Sequence, residues 1–382
     1  MRGDEFDVLV IGEGLSGITA AAAACRQGAR VMLTSKGPGS FALGTACVDL
    51  DGLDCASVGL SKWGANQMED AISFFLELTA AAGCAYEGGV HEHRLVPTIM
   101  GTFAEVSLAP RSLWKGDPRG VAEAVVVGIE NVFAFDANYV AERLTLHSKT
   151  NDLATSYRAV AIKLPQIQNQ HWLTPLEIAS EVDKHSYYAQ SLMAALKPVV
   201  QDADLLILPG VLGLNSGDDY IRNLEDEIGC AICELPTLPP SVPGLRLLRR
   251  LESRLSAMGV EIRTGFSVQK LCMDGGRCTG AVLDTPGQPR TVHADCVILA
   301  SGKFSRLLED HPGKERASAP GLRVSEELQP VSSAGAVLAE NVFACGSVLG
   351  RFESRYGNAI AIVSGYEAGM LACQRGVHYA KP

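Results

Sequence analysis

The chain has 382 residues, 47% of them hydrophobic and 20% charged, with a formal net charge of −10. That length exceeds one ordinary core and points to two domains. The acidic balance excludes nucleic acid or an anionic membrane surface as the principal partner. No run approaches the roughly 20 apolar residues of a membrane span, and the opening Met1 to Glu5 lacks a secretory apolar core, so the chain reads as cytoplasmic.

The N-terminal segment is the most informative. An apolar strand, Val8 to Ile11, runs into Gly12-x-Gly14-x-x-Gly17; an alanine-rich helix follows to near Gly28, and a second strand covers Val31 to Thr34. Residues 5–36 therefore predict a βαβ unit. In such a unit Gly12 makes the tight turn, Gly14 lets backbone approach a pyrophosphate, and Gly17 lets helix and strand pack closely. The N–H groups of Leu15 and Ser16 open the helix and face the anion. The strand–turn–helix–strand context predicts dinucleotide or flavin binding; a purely structural turn is the alternative.

A Gly/Ser/Thr-rich loop, Gly37 to Asp49, precedes a helical pattern over Glu69 to Ala82 with Ile72, Phe75 and Leu76 on its apolar face. Residues 86–235 alternate short strand-like and helix-like segments without a second phosphate loop, and read as an insertion. Proline punctuates Leu238 to Gly244, and a helix is predicted over Leu245 to Met258 from Leu247, Leu248, Leu251 and Leu255. Strands then alternate around Asp274-Gly275-Gly276 and end in Cys296-Val-Ile-Leu-Ala-Ser-Gly302, a buried parallel strand by its continuous apolar run. Asn341 to Gly346 reads as a further strand and Asn358 to Ala372 as a helix.

The eleven cysteines are scattered and mostly embedded in apolar runs, as buried small hydrophobes are. Cys230-Ala-Ile-Cys233 has no second pair of matching spacing, so no metal site is expected. Three distant strands end in glycine: Gly12, Gly302 and Gly346. A dinucleotide fold that starts at the N-terminus, is interrupted, and is completed by the C-terminal segment is the arrangement of FAD domains rather than of nicotinamide domains.

Those pieces resemble the two-dinucleotide-fold flavoproteins of the fumarate reductase and succinate dehydrogenase type. The resemblance rests on Ala300-Ser-Gly302, Glu340-Asn-Val-Phe-Ala-x-Gly346 and Ser364-Gly-x-x-Ala-Gly369. More narrowly, Thr34-Ser-Lys-Gly37 with Ser40 and Gly44-Thr-Ala-Cys-Val-Asp-Leu50 resembles the B subunit family of the anaerobic glycerol-3-phosphate dehydrogenases. So do Glu234-Leu-Pro-Thr-Leu-Pro-Pro-Ser-Val-Pro-Gly-Leu-Arg-Leu247 and Gly346-Ser-Val-Leu-Gly350.

The resemblance implies an α/β chain with an FAD-binding two-dinucleotide fold and an inserted α+β cap domain. The expected division is 1–55, 241–302 and 331–382 for the FAD domain, 56–240 for the insertion and 303–330 as a connection. It further implies a flavoprotein subunit of a complex that oxidises glycerol 3-phosphate to dihydroxyacetone phosphate and passes electrons toward quinone. A catalytic FAD subunit and an iron–sulfur subunit are the implied partners, with a small anionic substrate and membrane contact only through those partners, peripheral at the inner membrane. A stand-alone fumarate-reductase-like enzyme acting on a small carboxylate and a flavin-free scaffold subunit are the alternatives.

Two positions depart from the usual FAD pattern. The end of the second strand ordinarily carries an acid for the adenosine ribose, and here Ser35 stands there with Lys36 beside it. The later strand ordinarily ends Gly-Asp or Gly-Glu, and here it ends Gly346-Ser347. FMN is therefore the alternative to FAD, while Val268, at a position that commonly meets adenine through its backbone, favours FAD.

The resemblance places Ser40, Gly44, Thr45, Ala46 and Cys47 beside the isoalloxazine, and the helix start at Asn358, Ala359 and Ile360 at its pyrimidine end. Ala300 and Gly302 complete the cofactor set. Arg246, Arg351 and Arg355 are candidate cations for the flavin or an anionic substrate; a structural ion pair is the alternative for each. His93, with His91, is the candidate general base, with a surface loop as the alternative.

Overall fold

The computed structural model describes residues 5–53, 55, 64–167, 172–302, 321–350 and 352–379. In chain order the first elements are β1 (Glu5–Glu13), α1 (Leu15–Arg26), β2 (Val31–Pro38), a 3-10 turn at Ser40–Leu43, and α2 (Ala65–Ala81). Short strands follow: β3 (Tyr86–Gly88), β4 (Arg94–Pro97), β5 (Phe103–Val106) and β6 (Leu108–Pro110), then α3 (Arg111–Trp114). Next come β7 (Glu123–Ile129), α4 (Ala137–Thr150), β8 (Ser156–Ile162), α5 (Pro175–Lys184), α6 (Ser186–Val200) and β9 (Leu205–Pro209). The chain continues through α7 (Asp218–Ile228), β10 (Ala231–Leu235), α8 (Val242–Met258), β11 (Glu261–Thr264) and β12 (Ser267–Asp274). It finishes with β13 (Arg277–Asp284), β14 (Arg290–Leu299), β15 (Val342–Ala344) and α9 (Gly357–Tyr379). Among the described residues no helix is long and apolar enough to cross a membrane.

Two compact units divide the chain. The first comprises residues 1–40, 50–78 and 251–382, the second 41–49 and 79–250. The boundary moves from the expected residue 56 to residue 79, because α2 packs on the first unit. Its Phe74 ring lies 5.1 Å from that of Tyr366 on α9, and its Glu77 pairs with Arg26 of α1 at 2.7 Å. The segment 41–49 joins the second unit instead: Val48 bridges to Leu108, and Ser241 N–H donates to the Ala42 carbonyl at 2.7 Å. Helix α8 carries the second boundary, past Arg250 rather than ahead of residue 241. Most of the expected connection 303–330 lies outside the described residues.

In the first unit the sheet runs β11-β2-β1-β14-β13-β12, with β15 also on β14. Strands β11, β2, β1, β14 and β15 are parallel, and their ends stand level: Arg263 is in register with Thr34, Thr34 with Ile11, Ile11 with Leu299, and Leu299 with Ala344. This level row is why residues so distant in sequence meet at one edge. The alanine run of α1 is fully buried because α9 lies directly on its backbone. A methyl group at Gly365 would come within 2.5 Å of the Ser16 carbonyl oxygen, and one at Gly369 within 2.5 Å of the Ala20 carbonyl oxygen. The Ser364-Gly-x-x-Ala-Gly369 pattern is thus a close-approach surface for α1.

In the second unit the main sheet is β10-β9-β7-β8, parallel throughout. The expected α+β insertion therefore has an α/β main layer, with the antiparallel pairs β3–β6 and β4–β5 beside it. Each face of this sheet has its own apolar core, one around Leu192, Leu196 and Leu206, the other around Trp114, Leu144 and Ile207. Cys230 belongs to the first core and Cys233 to the second, so the sheet separates the two thiols. Alternation along a strand puts residues three apart on opposite faces, and a shared metal or disulfide is excluded for the pair.

Candidate flavin site

The level strand ends of the first unit build a cradle from three glycine turns. Gly12 is the penultimate residue of β1, at φ +120°, and a Cβ there would meet the Ala300 carbonyl oxygen at 2.3 Å. Only glycine suits both the dihedral and the contact. Gly17 brings α1 down onto the turn, since its Cβ would stand 1.8 Å from the Gly12 carbonyl oxygen. Gly346 follows β15, where a Cβ would meet Ser16 Oγ at 2.2 Å, and a Cβ at Gly302 would lie 3.8 Å from Ser347 Oγ. The fingerprint, the Ala300-Ser-Gly302 end and the Gly346-Ser347 end are therefore neighbours.

Gly14 differs from its companions. It is the N-cap of α1 with φ −80° and ψ 176°, a conformation open to any residue, and a Cβ there would meet nothing closer than Gly39 Cα at 3.9 Å. Neither strain nor packing requires glycine at this position; the space a side chain would fill is the space a pyrophosphate takes beside the turn. Helix α1 has no side-chain cap and no acid in its first turn, and its first N–H to return to the helix is Ile18, bonded to the Gly14 carbonyl at 3.0 Å. The preceding N–H groups suit an anion. Ser301 Oγ is buried and, among the described residues, has no hydrogen-bond partner, a polar atom left unsatisfied at the same edge. The residues present fit a flavin dinucleotide.

Ser364 Oγ accepts from the Gly346 N–H at 2.8 Å and donates to the Ile360 carbonyl at 2.5 Å. It thereby ties the β15 turn to the first turns of α9, where Asn358, Ala359 and Ile360 lie. Burial pushes the neighbouring Cys345 thiol up to about 12, against the opposing hydrogen bond of Ser16, so it is inert at neutral pH.

At the opposite end of the row, Ser35 lies in the second half of β2 and is buried. It donates from Oγ to Glu13 Oε2 at 2.5 Å, and Thr264 Oγ1 lies 2.8 and 3.1 Å from the two Glu13 carboxylate oxygens. Thr34 Oγ1 donates to the carbonyls of Arg263 and Phe266 at 3.1 and 3.3 Å, drawing the β11–β12 link, with Val268 two residues beyond, toward the end of β2. Lys36 points to solvent. Glu13 is not a position that the glycine fingerprint singles out. The one signal for it was a charged residue at the end of an otherwise apolar strand.

The remaining expected site residues divide between the two units. Gly44, Thr45, Ala46 and Cys47 belong to the second unit, where the Tyr86 hydroxyl donates to the Ala46 carbonyl at 2.7 Å; Ser40 ends a segment of the first. Burial pushes the Cys47 thiol up to about 12.

Arg246 is corrected from a ligand-facing cation to a structural one. Its Nη1 and Nη2 donate to Glu234 at 2.6 and 2.9 Å, its Nε donates to the Gly213 carbonyl at 2.8 Å, and both side chains are buried. Arg355 is exposed, pairs with Glu353 at 3.0 Å and lies 4.4 Å from the Tyr356 ring centre. Arg351 lies outside the described residues. His93 sits in an exposed turn, and the group it offers to Arg119 is its carbonyl, at 3.0 Å, rather than its ring.

The sequence matches the FAD binding domain family over residues 7–59 and 242–320, the stretches that hold β1, α1, β2 and β11 to β14. Those stretches form an FAD-binding domain, and FAD is its cofactor.

Along nearly all its length the chain is also a homologue of proteins named as the B subunit of an anaerobic glycerol-3-phosphate dehydrogenase. The protein of Halobacterium salinarum strain R1, named a probable one, is 26% identical over 97% of this chain and 98% of its own. That of Actinobacillus pleuropneumoniae serotype 5b is 24% identical over 94% and 97%. Among solved structures, the open conformation of a flavocytochrome c3 fumarate reductase aligns with 98% of this chain and 79% of its own at 10% identity and a TM-score of 0.48. A 3-ketosteroid-Δ4-(5α)-dehydrogenase from Rhodococcus jostii RHA1 aligns with 97% of both chains at 13% identity and a TM-score of 0.41.

Proposed function

We propose that this chain is the flavoprotein subunit of an anaerobic glycerol-3-phosphate dehydrogenase complex. In that reading glycerol 3-phosphate is oxidised to dihydroxyacetone phosphate, and electrons pass toward quinone through a catalytic FAD subunit and an iron–sulfur subunit. The observation that carries it is the end-to-end match with relatives of that name, which spans both units rather than the cofactor domain alone.

The cradle supports the redox part. The turn Gly12 to Gly14 and the N–H groups of Leu15, Ser16 and Gly17 would hold the pyrophosphate. Gly302 and Ser347 would flank the chain that leads to the ring system, and the N–H groups of Asn358, Ala359 and Ile360 would meet its pyrimidine end. FAD, when bound, supplies hydride acceptance from an alcohol carbon. This chain supplies binding and orientation, and the positive end of α9 favours negative charge at the pyrimidine edge.

The test is to assemble the complex with and without this chain and follow glycerol 3-phosphate-dependent reduction of a soluble quinone. The expected result is a stable assembly containing this chain, with quinone reduction that falls at least about tenfold when it is omitted. Failure to assemble, or full activity without it, would contradict the assignment.

A further inference from the structure

The end of β2 lacks the acid that ordinarily holds the adenosine ribose, but a carboxylate reaches that place from another strand. We propose that Glu13, inside the phosphate turn itself, is the residue that accepts the ribose hydroxyls of FAD, held in position by Ser35 and Thr264. The inference needs only the cofactor and is independent of the substrate assigned above.

Position supports it first. The ribose acid of a dinucleotide fold stands at the end of the second strand, about 20 residues past the glycine turn. Ser35 occupies that position here, and the Glu13 carboxylate lies within hydrogen-bond distance of its hydroxyl. Thr264, opposite Ser35 in the β2–β11 register, holds the same carboxylate from the other side. The charge has moved along the row of strand ends from β2 to β1, while the place it serves is unchanged.

Electrostatics support it independently. Glu13 is 3% exposed, and among the described residues no cation pairs with it. A buried carboxylate without a counter-ion is costly to fold around, so its retention calls for a ligand that uses it. The donor count says which ligand. Ser35 and Thr264 each have a single hydroxyl proton, and both are directed to Glu13. The cluster then offers only acceptors: the unused lone pairs of Oε1 and those of the two hydroxyl oxygens. A vicinal diol, which donates, satisfies such a cluster. A phosphate, which is anionic and accepts, is repelled by it. The site therefore selects an unphosphorylated ribose and gives FAD an advantage over FMN, which has no adenosine.

The experiment uses the full-length protein stripped of flavin and titrated separately with FAD and FMN, read by flavin fluorescence. Wild-type protein is expected to bind FAD more tightly than FMN. Glu13→Gln keeps the side-chain size and removes the charge; it is expected to weaken FAD about tenfold or more and leave FMN within about twofold. FMN carries the phosphate and the ring system, so it reports whether the turn itself is intact. Equal loss for both flavins, no loss for either, or a wild type that binds both equally would overturn the proposal. The double variant Glu13→Ala with Ser35→Glu returns a carboxylate to the end of β2. It is expected to recover most of the FAD preference, and an FAD preference no better than that of Glu13→Gln would overturn it as well.

Discussion

Each unit of this molecule has a run of parallel strands, and each run buries a glutamate near the carboxyl end of a strand. The two carboxylates are treated in opposite ways. Glu234 on β10 is clamped by Arg246 through two hydrogen bonds and also accepts from the Leu212 N–H at 2.9 Å. Glu13 on β1 has two hydroxyl partners and, among the described residues, no cation. A saturated buried ion pair has nothing left to offer a ligand and serves to fix the loop after β9 against α8. An unpaired buried carboxylate at the edge of a cofactor cradle has acceptor capacity left over. The same residue type in the same kind of place is structural in one unit and a binding group in the other, and the count of partners decides which.

The largest expected effect lies in the clamped pair. Arg246→Ala leaves Glu234 buried and uncompensated, and should lower stability by about 3–5 kcal/mol in urea titrations. A loss under about 1 kcal/mol would mean that the pair is not the structural element described here.

Next comes the cradle. Gly12→Ala combines a positive φ with a backbone collision at Ala300 and should cost about 2–4 kcal/mol together with FAD binding. Gly14→Ala should leave the melting temperature of the flavin-free protein within a few degrees while weakening FAD, because its glycine is required by the ligand rather than by the fold. Equal melting temperatures for the Gly12 and Gly14 variants would break that distinction.

Glutamine at the two glutamates sharpens the comparison. Glu234→Gln should destabilise the flavin-free protein by about 2–3 kcal/mol. Glu13→Gln should leave it unchanged or raise it by up to about 1 kcal/mol, since an unpaired buried charge is removed. Denaturant midpoints of the two variants, compared without flavin, give the answer directly.

The smallest effect concerns acid sensitivity. Burial raises the Asp117 carboxyl, but the side-chain and backbone hydrogen bonds from Arg119, with the charges of Arg119 and Arg94, outweigh it and hold the group below the ordinary aspartate value. A depressed carboxyl stabilises the fold above its unfolded value near about 4 and loses that contribution as pH falls through the folded value. Asp117→Asn should therefore lower stability by about 1 kcal/mol or less at pH 7 and flatten the decline below about pH 4. An unchanged acid limb would contradict the assignment.

How much of this was legible in the sequence depends on how local each signal is. The βαβ unit and the glycine ends at 12, 302 and 346 are written in contiguous residues, and the level strand register explains why they converge. Arg246 was misplaced because nothing in a sequence says that Glu234, twelve positions earlier, lies across from it in a dry core. Glu13 went unnoticed because the fingerprint leaves its position unspecified, and only the β2–β11 pairing puts Ser35 and Thr264 around it. Helix α2 was placed in the insertion by its position in the chain, whereas Phe74 and Glu77 bind it to α9 and α1. Periodicity locates an element but does not say which neighbour its apolar face will meet.

The most direct test of the central claim is to purify the full chain, record its visible spectrum, release the chromophore and identify it. The expected result is flavin absorption with stoichiometric FAD released, as a cradle that retains an adenosine ribose acceptor requires. Release of FMN, or a colourless protein that stays colourless after incubation with FAD, would contradict it.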